Sequence, residues 1–119
     1  MPIKSLGYLG VRSNNVDDWK YFAGKVLAMQ LADHGGRQLS FRMDDLVQRL
    51  VVSDEPGETL AFIGWEVSQK SDLQYFAAKL DDAGHKVTEG GSELADRRFV
   101  ADLIVCSDPA GNRIELVWN

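Results

Sequence analysis

The usual metal-ligating and acid–base side chains in this chain of 119 amino acids are two histidines, one cysteine and 18 acidic residues. A catalytic metal needs about three protein ligands and an open position. His34 lies in a glycine-containing loop after the first helical segment, and His85 lies just past the second. They occupy equivalent post-helix places, do not make a pair, and read as residues that satisfy local backbone or face solvent. Cys106 sits in the strand-like run Leu103-Ile104-Val105-Cys106. A nucleophilic thiol needs a base or an electropositive setting, so this one reads as a small buried hydrophobe. A single cysteine excludes an internal disulfide and fits a reducing cytoplasm.

The acidic pairs Asp17-Asp18 and Asp81-Asp82 are helix-surface charges, because neighbours along a helix point in different directions. Glu66 lies in a strand and reads as outward-facing or salt-bridged. Tyr8, Trp65 and Trp118 are strand aromatics that suit a core, an interface or the wall of an apolar cup. No glycine-rich loop precedes a helix: Gly35-Gly36 follows one, and Gly90-Gly91 reads as a turn. Thirteen basic against 18 acidic residues give a charge of −5, which repels phosphate backbones and argues against a nucleic-acid partner. The basic pair Arg97-Arg98 follows Asp96 without an aromatic platform and reads as a solvated loop edge or domain contact. No apolar run has the length of a membrane span, and Met1-Pro2-Ile3-Lys4 does not begin a signal peptide. The expectation is a cytoplasmic protein with no membrane partner.

The elements that must position these residues follow from periodicity. The chain is 45% hydrophobic and 26% charged, enough for a core without disulfides. Leu6 to Val11 predicts a strand. Ser13-Asn14-Asn15 supplies a helix start, with Asp17 and Asp18 in the first turn and Trp19, Phe22, Val26 and Met29 as the apolar face. A turn at His34-Gly35-Gly36 follows. Gln38 to Met43 and Gln48 to Ser53 predict strands around an acidic turn at Asp44-Asp45. Residues 54–58 read as a linker.

The pattern then restarts. Leu60 to Val67 predicts a strand, Ser71 with Gln74 a capping box, and Leu73, Phe76, Ala77 and Leu80 a helix face closed by Gly84. Lys86 to Thr88, Phe99 to Cys106 and Arg113 to Trp118 predict three further strands, the last two joined by a turn from Ser107 to Asn112. Leu6-Gly7-Tyr8-Leu9-Gly10 lies over Leu60-Ala61-Phe62-Ile63-Gly64, an internal duplication with a period near half the chain. The expected fold is α+β: one domain over 1–119, with a βαβββ module at about 3–53, the linker at 54–58 and a second module at about 59–119. Each module alone exposes a sheet face, which pairing would bury.

The ending Asp108-Pro109-Ala110-Gly111-Asn112-Arg113-Ile114-Glu115-Leu116 resembles that of the vicinal oxygen chelate superfamily, which includes glyoxalase I, bleomycin-resistance proteins and extradiol dioxygenases. Proline presets one dihedral of this turn, while glycine and asparagine tolerate positive φ. Closer resemblance is to the N-terminal, non-catalytic domain of type I extradiol dioxygenases acting on dihydroxybiphenyl and dihydroxynaphthalene. It is carried by Ile3 to Val11, Asp17-Asp18-Trp19-Lys20-Tyr21-Phe22, Phe41-Arg42-Met43-Asp44, Arg49 to Val52, Leu60 to Val67, and Glu115 to Trp118.

The resemblance implies a metal site in the cup between modules, with ligands from the first and last strand of each. Those positions hold Tyr8, Val51, Phe62 and Glu115 here. Glu115 is the one carboxylate, and a tyrosinate at Tyr8 the other conceivable donor, so the expectation is no catalytic, cofactor-binding or metal residue in this segment. The resemblance further implies a parent oxidoreductase of aromatic catabolism, with Fe(II) in a C-terminal catalytic domain inserting both atoms of dioxygen beside the two hydroxyls of a bicyclic catechol. This segment would then be a scaffold, with that domain as its partner and a homo-oligomer as its assembly. The rival expectation is a standalone small-molecule binding protein similar to bleomycin-resistance proteins. A metal enzyme completed by a partner chain ranks last, since Glu115 is its sole ligand.

Overall fold

The structure, a computed structural model, describes residues 2–32, 38–44 and 48–119, so His34, Gly35, Gly36 and Asp45 lie outside the described residues. Two compact units emerge: a first, Tyr8–Ala61, and a second, Phe62–Asn119 together with Met1–Gly7. Strands β1 (Ile3–Arg12) and β5 (Thr59–Val67) contribute to both.

In the first unit, β1 is followed by helix α1 (Val16–Tyr21), a π-helical segment (Phe22–Val26), and strands β2 (Gln30–Ala32), β3 (Gln38–Arg42) and β4 (Leu50–Ser53). The sheet order is β2-β3-β4-β1, with β4 parallel to β1 and the other pairs antiparallel. In the second unit, β5 is followed by α2 (Ser71–Asp82), β6 (Thr88–Glu89), α3 (Gly91–Arg98), β7 (Asp102–Ser107) and β8 (Arg113–Trp118). Its order is β5-β8-β7-β6, again with the first and last strands parallel. The duplication is therefore real at the level of topology.

It is also real at the level of register. Leu9, Gly10, Val11 and Arg12 pair with Leu50, Val51, Val52 and Ser53. Ile63, Gly64, Trp65 and Glu66 pair with Ile114, Glu115, Leu116 and Val117. Superposing position 10 on 64 thus carries Val51 onto Glu115, as the sequence alignment expects. Because side chains alternate along strands, Tyr8 and Val51 share one face of the first unit. Phe62 and Glu115 share the corresponding face of the second.

The opposite faces receive α1 with its π-helical extension in the first unit and α2 in the second. In the first unit Ala23, Phe41 and Val52 are buried, with Val11, Trp19, Met29, Leu39 and Leu50 packed around them. The expected helix face is only half realised. Residues 22–26 wind as a π-helix, with Leu27 N donating to Phe22 O at 2.9 Å, and Ala28 ends the segment at φ 57°. The wider turn rotates the face, so Ala23 points inward while Phe22 and Val26 are 46% and 57% exposed. Met29 packs from beyond the helix, and β2, absent from the sequence reading, follows it directly.

In the second unit the face of α2 is as expected: Leu73 is buried and Phe76, Ala77 and Leu80 pack against Val67, Ile104 and Leu116. Full burial of a leucine of this kind contributes about 1.5–3 kcal/mol. Gly84 adopts φ 85° and donates to Asp81 O, the left-handed C-cap its position predicts. The capping box does not form. The N-cap is Lys70, and Asp72 Oδ2 instead accepts from Gln69 N at 2.8 Å, a reach-back made by a stronger, charged acceptor one position from Ser71.

The larger departure is α3. Gly90-Gly91 is not a free turn but the start of a helix that runs to Arg98, and the strand expected from Phe99 begins at Asp102. Phe99 caps α3 at φ 58°, and Val100 N returns to Ala95 O. The strand expected at Lys86 to Thr88 shifts to Thr88–Glu89, because Gly90 N must reach Leu103 O at 3.0 Å.

That contact leaves no room at Gly90. A Cβ there would stand 2.5 Å from Leu103 Cγ and 2.6 Å from its Cδ2, whereas one at Gly24 meets nothing within 4 Å. Leu103 is fully buried and cannot swing away. We expect Gly90→Ala to cost about 1–3 kcal/mol through overpacking, and Gly24→Ala to be neutral or slightly stabilising. Urea unfolding of both variants measures this; a Gly90→Ala protein as stable as the parent would show that Leu103 yields.

Candidate functional site

Of the four positions marked by the repeat, Tyr8, Val51 and Phe62 are buried and Glu115 is fully sealed, at 0% exposure. Glu115 does not stand alone. Arg98 Nε donates to its Oε1 at 2.8 Å and Arg98 Nη2 to its Oε2 at 3.0 Å. Arg113 Nε donates to Oε2 at 2.9 Å from a half-exposed position. The Arg98 guanidinium carbon lies 3.8 Å from the centroid of the Phe62 ring. A buried carboxylate thus holds a bidentate arginine fork on one side and a second arginine on the other, and the fork rests on an aromatic face.

Local sequence explains why these groups meet. Gly64, directly opposite Glu115 in the β5–β8 pair, contributes no side chain beside the carboxylate. Helix α3 has Glu93 in its first turn and Arg97 and Arg98 in its last, which suits the helix dipole. Leu94, Ala95 and Arg98 form its buried face. Arg98 is therefore no loop edge: it is 9% exposed and ion-paired. The turn before β8 sets the register of Glu115. Asp108 Oδ1 accepts from Ala110 N and Asn112 N, and its Oδ2 from Asn112 Nδ2. Gly111 takes φ 87° there.

The corresponding face of the first unit carries no charge at the matched place. Val51 stands where Glu115 does, and beside it Ser40 Oγ donates to Gln48 Oε1 at 2.7 Å. Gln48 Nε2 is buried and has no hydrogen-bond partner among the described residues.

The positions that the resemblance marks as ligand places do not suit a metal here. Both oxygens of Glu115 are committed to arginines, Phe62 lies under a guanidinium, and Val51 offers no donor. Among the described residues no three His, Cys, Asp or Glu side chains converge. His85 is exposed past the end of α2, with its backbone N donating to Leu80 O. Glu66 is salt-bridged to Lys4 at 3.7 Å, as expected for a strand carboxylate. Cys106 is buried, and burial followed by the nearby Asp108 charge pushes its thiol above the ordinary cysteine value. Trp118 packs in the core, whereas Trp65 is half-exposed. A cavity of about 610 Å³ opens between α2 and β7, and none of the four marked positions lines it. No helix among the described residues is long and apolar enough to cross a membrane.

Known proteins agree with this architecture. A family profile described as Dihydroxybiphenyl dioxygenase BphC D1 matches residues 6–57. The chain is 38% identical, over 99% of its length, to 3-methylcatechol 2,3-dioxygenase of Pseudomonas putida, and covers 40% of that protein. It is 36% identical to biphenyl-2,3-diol 1,2-dioxygenase of Paraburkholderia xenovorans, with 99% of the chain and 40% of the relative covered. The chain thus spans about 40% of the length of the curated relatives it matches. Among solved structures, a catechol 2,3-dioxygenase superposes with a TM-score of 0.95 at 32% identity, over 100% of this chain and 42% of the other. The vicinal oxygen chelate fold of these neighbours is the fold of this chain.

The Asp108 turn generates a pH prediction. The Asn112 side chain and then the backbone amides hold the Asp108 carboxyl below its ordinary value. A carboxyl so depressed in the folded state contributes stability above the ordinary aspartate value. That contribution is lost as pH falls through the depressed value. Asp108→Asn should therefore be less stable than the parent at pH 7, with the gap closing in acid below the ordinary aspartate range. Urea midpoints across that range are the measurement, and parallel pH profiles for the two proteins would refute the assignment.

Proposed function

We propose that this chain belongs to the extradiol ring-cleavage dioxygenase family and is the metal-free N-terminal scaffold domain of such an enzyme. Fe(II), the catechol and dioxygen are then handled by a C-terminal domain of the same parent chain. The observation that carries this reading is the state of Glu115: the one carboxylate at a matched ligand position is spent on two arginines. Residues 1–119 are read as one domain of two modules, about 3–53 and 59–119, joined by 54–58. The parent's substrate class is a catechol, bicyclic on the pattern of resemblance, and its setting cytoplasmic and oligomeric. Exposed Tyr21, Phe22, Val26 and Leu27 favour a chain that packs against something further.

The test is direct. The isolated chain, mixed with Fe(II) and 2,3-dihydroxybiphenyl under air, should form no yellow ring-cleavage product, while the parent enzyme should. Elemental analysis after dialysis against a weak chelator should find no stoichiometric iron or manganese in the chain. Steady colour above an iron-only control, or about one metal per chain, would overturn the scaffold reading.

A further inference from the structure

We infer that Phe62 and Glu115 together form a guanidinium site whose resident ligand is Arg98, a side-chain cation held where a metal would otherwise have to bind this carboxylate. The inference deepens the scaffold reading but stands on the second unit alone. Recognition of a guanidinium takes a carboxylate in the plane of its fork and an aromatic face beneath it. Both are present. Two nitrogens of Arg98 meet the two oxygens of Glu115 at 2.8 and 3.0 Å, and the Phe62 ring centre lies 3.8 Å from the guanidinium carbon. Neither partner is open to water, at 9% and 0% exposure.

Delivery is equally specific. Arg98 is the last residue of α3, and Phe99 turns the chain away in the left-handed region at φ 58°, a conformation costly for a bulky residue. Ala101 N then bonds to Trp118 O at 3.0 Å and ties the exit to β8, the strand that carries Glu115. The negative end of the α3 dipole lies beside the guanidinium. Arg113 clamps the same carboxylate at 2.9 Å, so one negative charge faces two positive ones. A divalent cation arriving here would meet net repulsion and no free oxygen pair. A lysine at 98 would bring the charge without the planar fork.

Chemical rescue tests the inference. Arg98→Ala should lower the melting temperature by about 10 °C, since it leaves the buried carboxylate with Arg113 on Oε2 and without its two-nitrogen partner. Methylguanidinium at millimolar concentration should raise the melting temperature of Arg98→Ala by several degrees, through binding to the folded state only. It should do so neither for the parent, whose site is filled, nor for Arg98→Ala with Glu115→Gln. Arg98→Lys should regain only part of the loss. If Arg98→Ala does not fold, Arg98→Met with Glu115→Met removes both charges and should fold with a melting temperature near the parent's; failure of that pair to fold overturns the inference by making the role one of packing. Also overturning it would be an Arg98→Ala protein as stable as the parent, or a folded one that ignores methylguanidinium. A manganese-induced rise in the parent's melting temperature that Glu115→Gln abolishes would do the same. Ring cleavage by the chain would sink the scaffold reading and leave this result untouched.

Discussion

A carboxylate sealed from water inside a protein must find its cations within the chain, and Glu115 finds two. The desolvation cost of such a group is several kcal/mol even after relaxation. A short helix must therefore end at residue 98, a left-handed residue must follow it, and β8 must enter at a register that aims Glu115 at that helix end. Gly90, pressed on the buried Leu103, starts the helix at the right height. Asp108 and Gly111 fix the entry of β8. Each of these local features makes sense as a condition for the pairing of Arg98, Arg113 and Glu115.

The two units show what the constraint adds. Their first and last strands pair in one register, and α1 and α2 cover corresponding faces of their sheets. In the second unit twelve residues, 90–101, separate the second strand from the third and carry α3, whereas five, 33–37, separate them in the first; the matched position is charged in the second unit alone. Where Val51 replaces the carboxylate, no counter-ion is required at the matched position. Ser40 and Gln48 supply a smaller, neutral hydrogen bond on that face instead. Charge at this strand position is thus one physical difference between two units of parallel topology.

Much of this was legible in the sequence. The alternation in Leu6 to Val11 and Leu60 to Val67, the face of α2 with Gly84 at its end, and the Asp108 turn are local patterns whose physics is local. The aligned positions Val51 and Glu115 followed from repeat arithmetic, and the strand registers agree. The failures are of two kinds. Helix α3 carried a readable signal, with Glu93 early, Arg97 and Arg98 late, and Leu94, Ala95 and Arg98 on one face. The glycine pair masked it, and so did the habit of reading adjacent arginines as solvated. The π-helical segment carried no such signal: Trp19, Phe22, Val26 and Met29 fit an α-helix, and packing around Ala23 and Phe41 rotated that face.

Spacing puts Arg113 on the same face of β8 as Glu115, two residues away, but it could not have supplied Arg98, which reaches the carboxylate from α3. Sequence identifies a carboxylate at a ligand-like position; what it binds depends on which cation the fold can bring within 3 Å. Replacing an ion pair by apolar groups of similar volume often leaves stability unchanged or raises it, so bulk stability alone does not account for this one. Geometry does. An apolar contact at the end of α3 would tolerate several rotations of a helix only eight residues long. A guanidinium that must sit over the Phe62 ring and present two nitrogens to Glu115 tolerates one. The pair therefore fixes the orientation of α3 on its sheet, and with it the burial of Leu94 and Ala95, which a helix of this length could not secure by propensity.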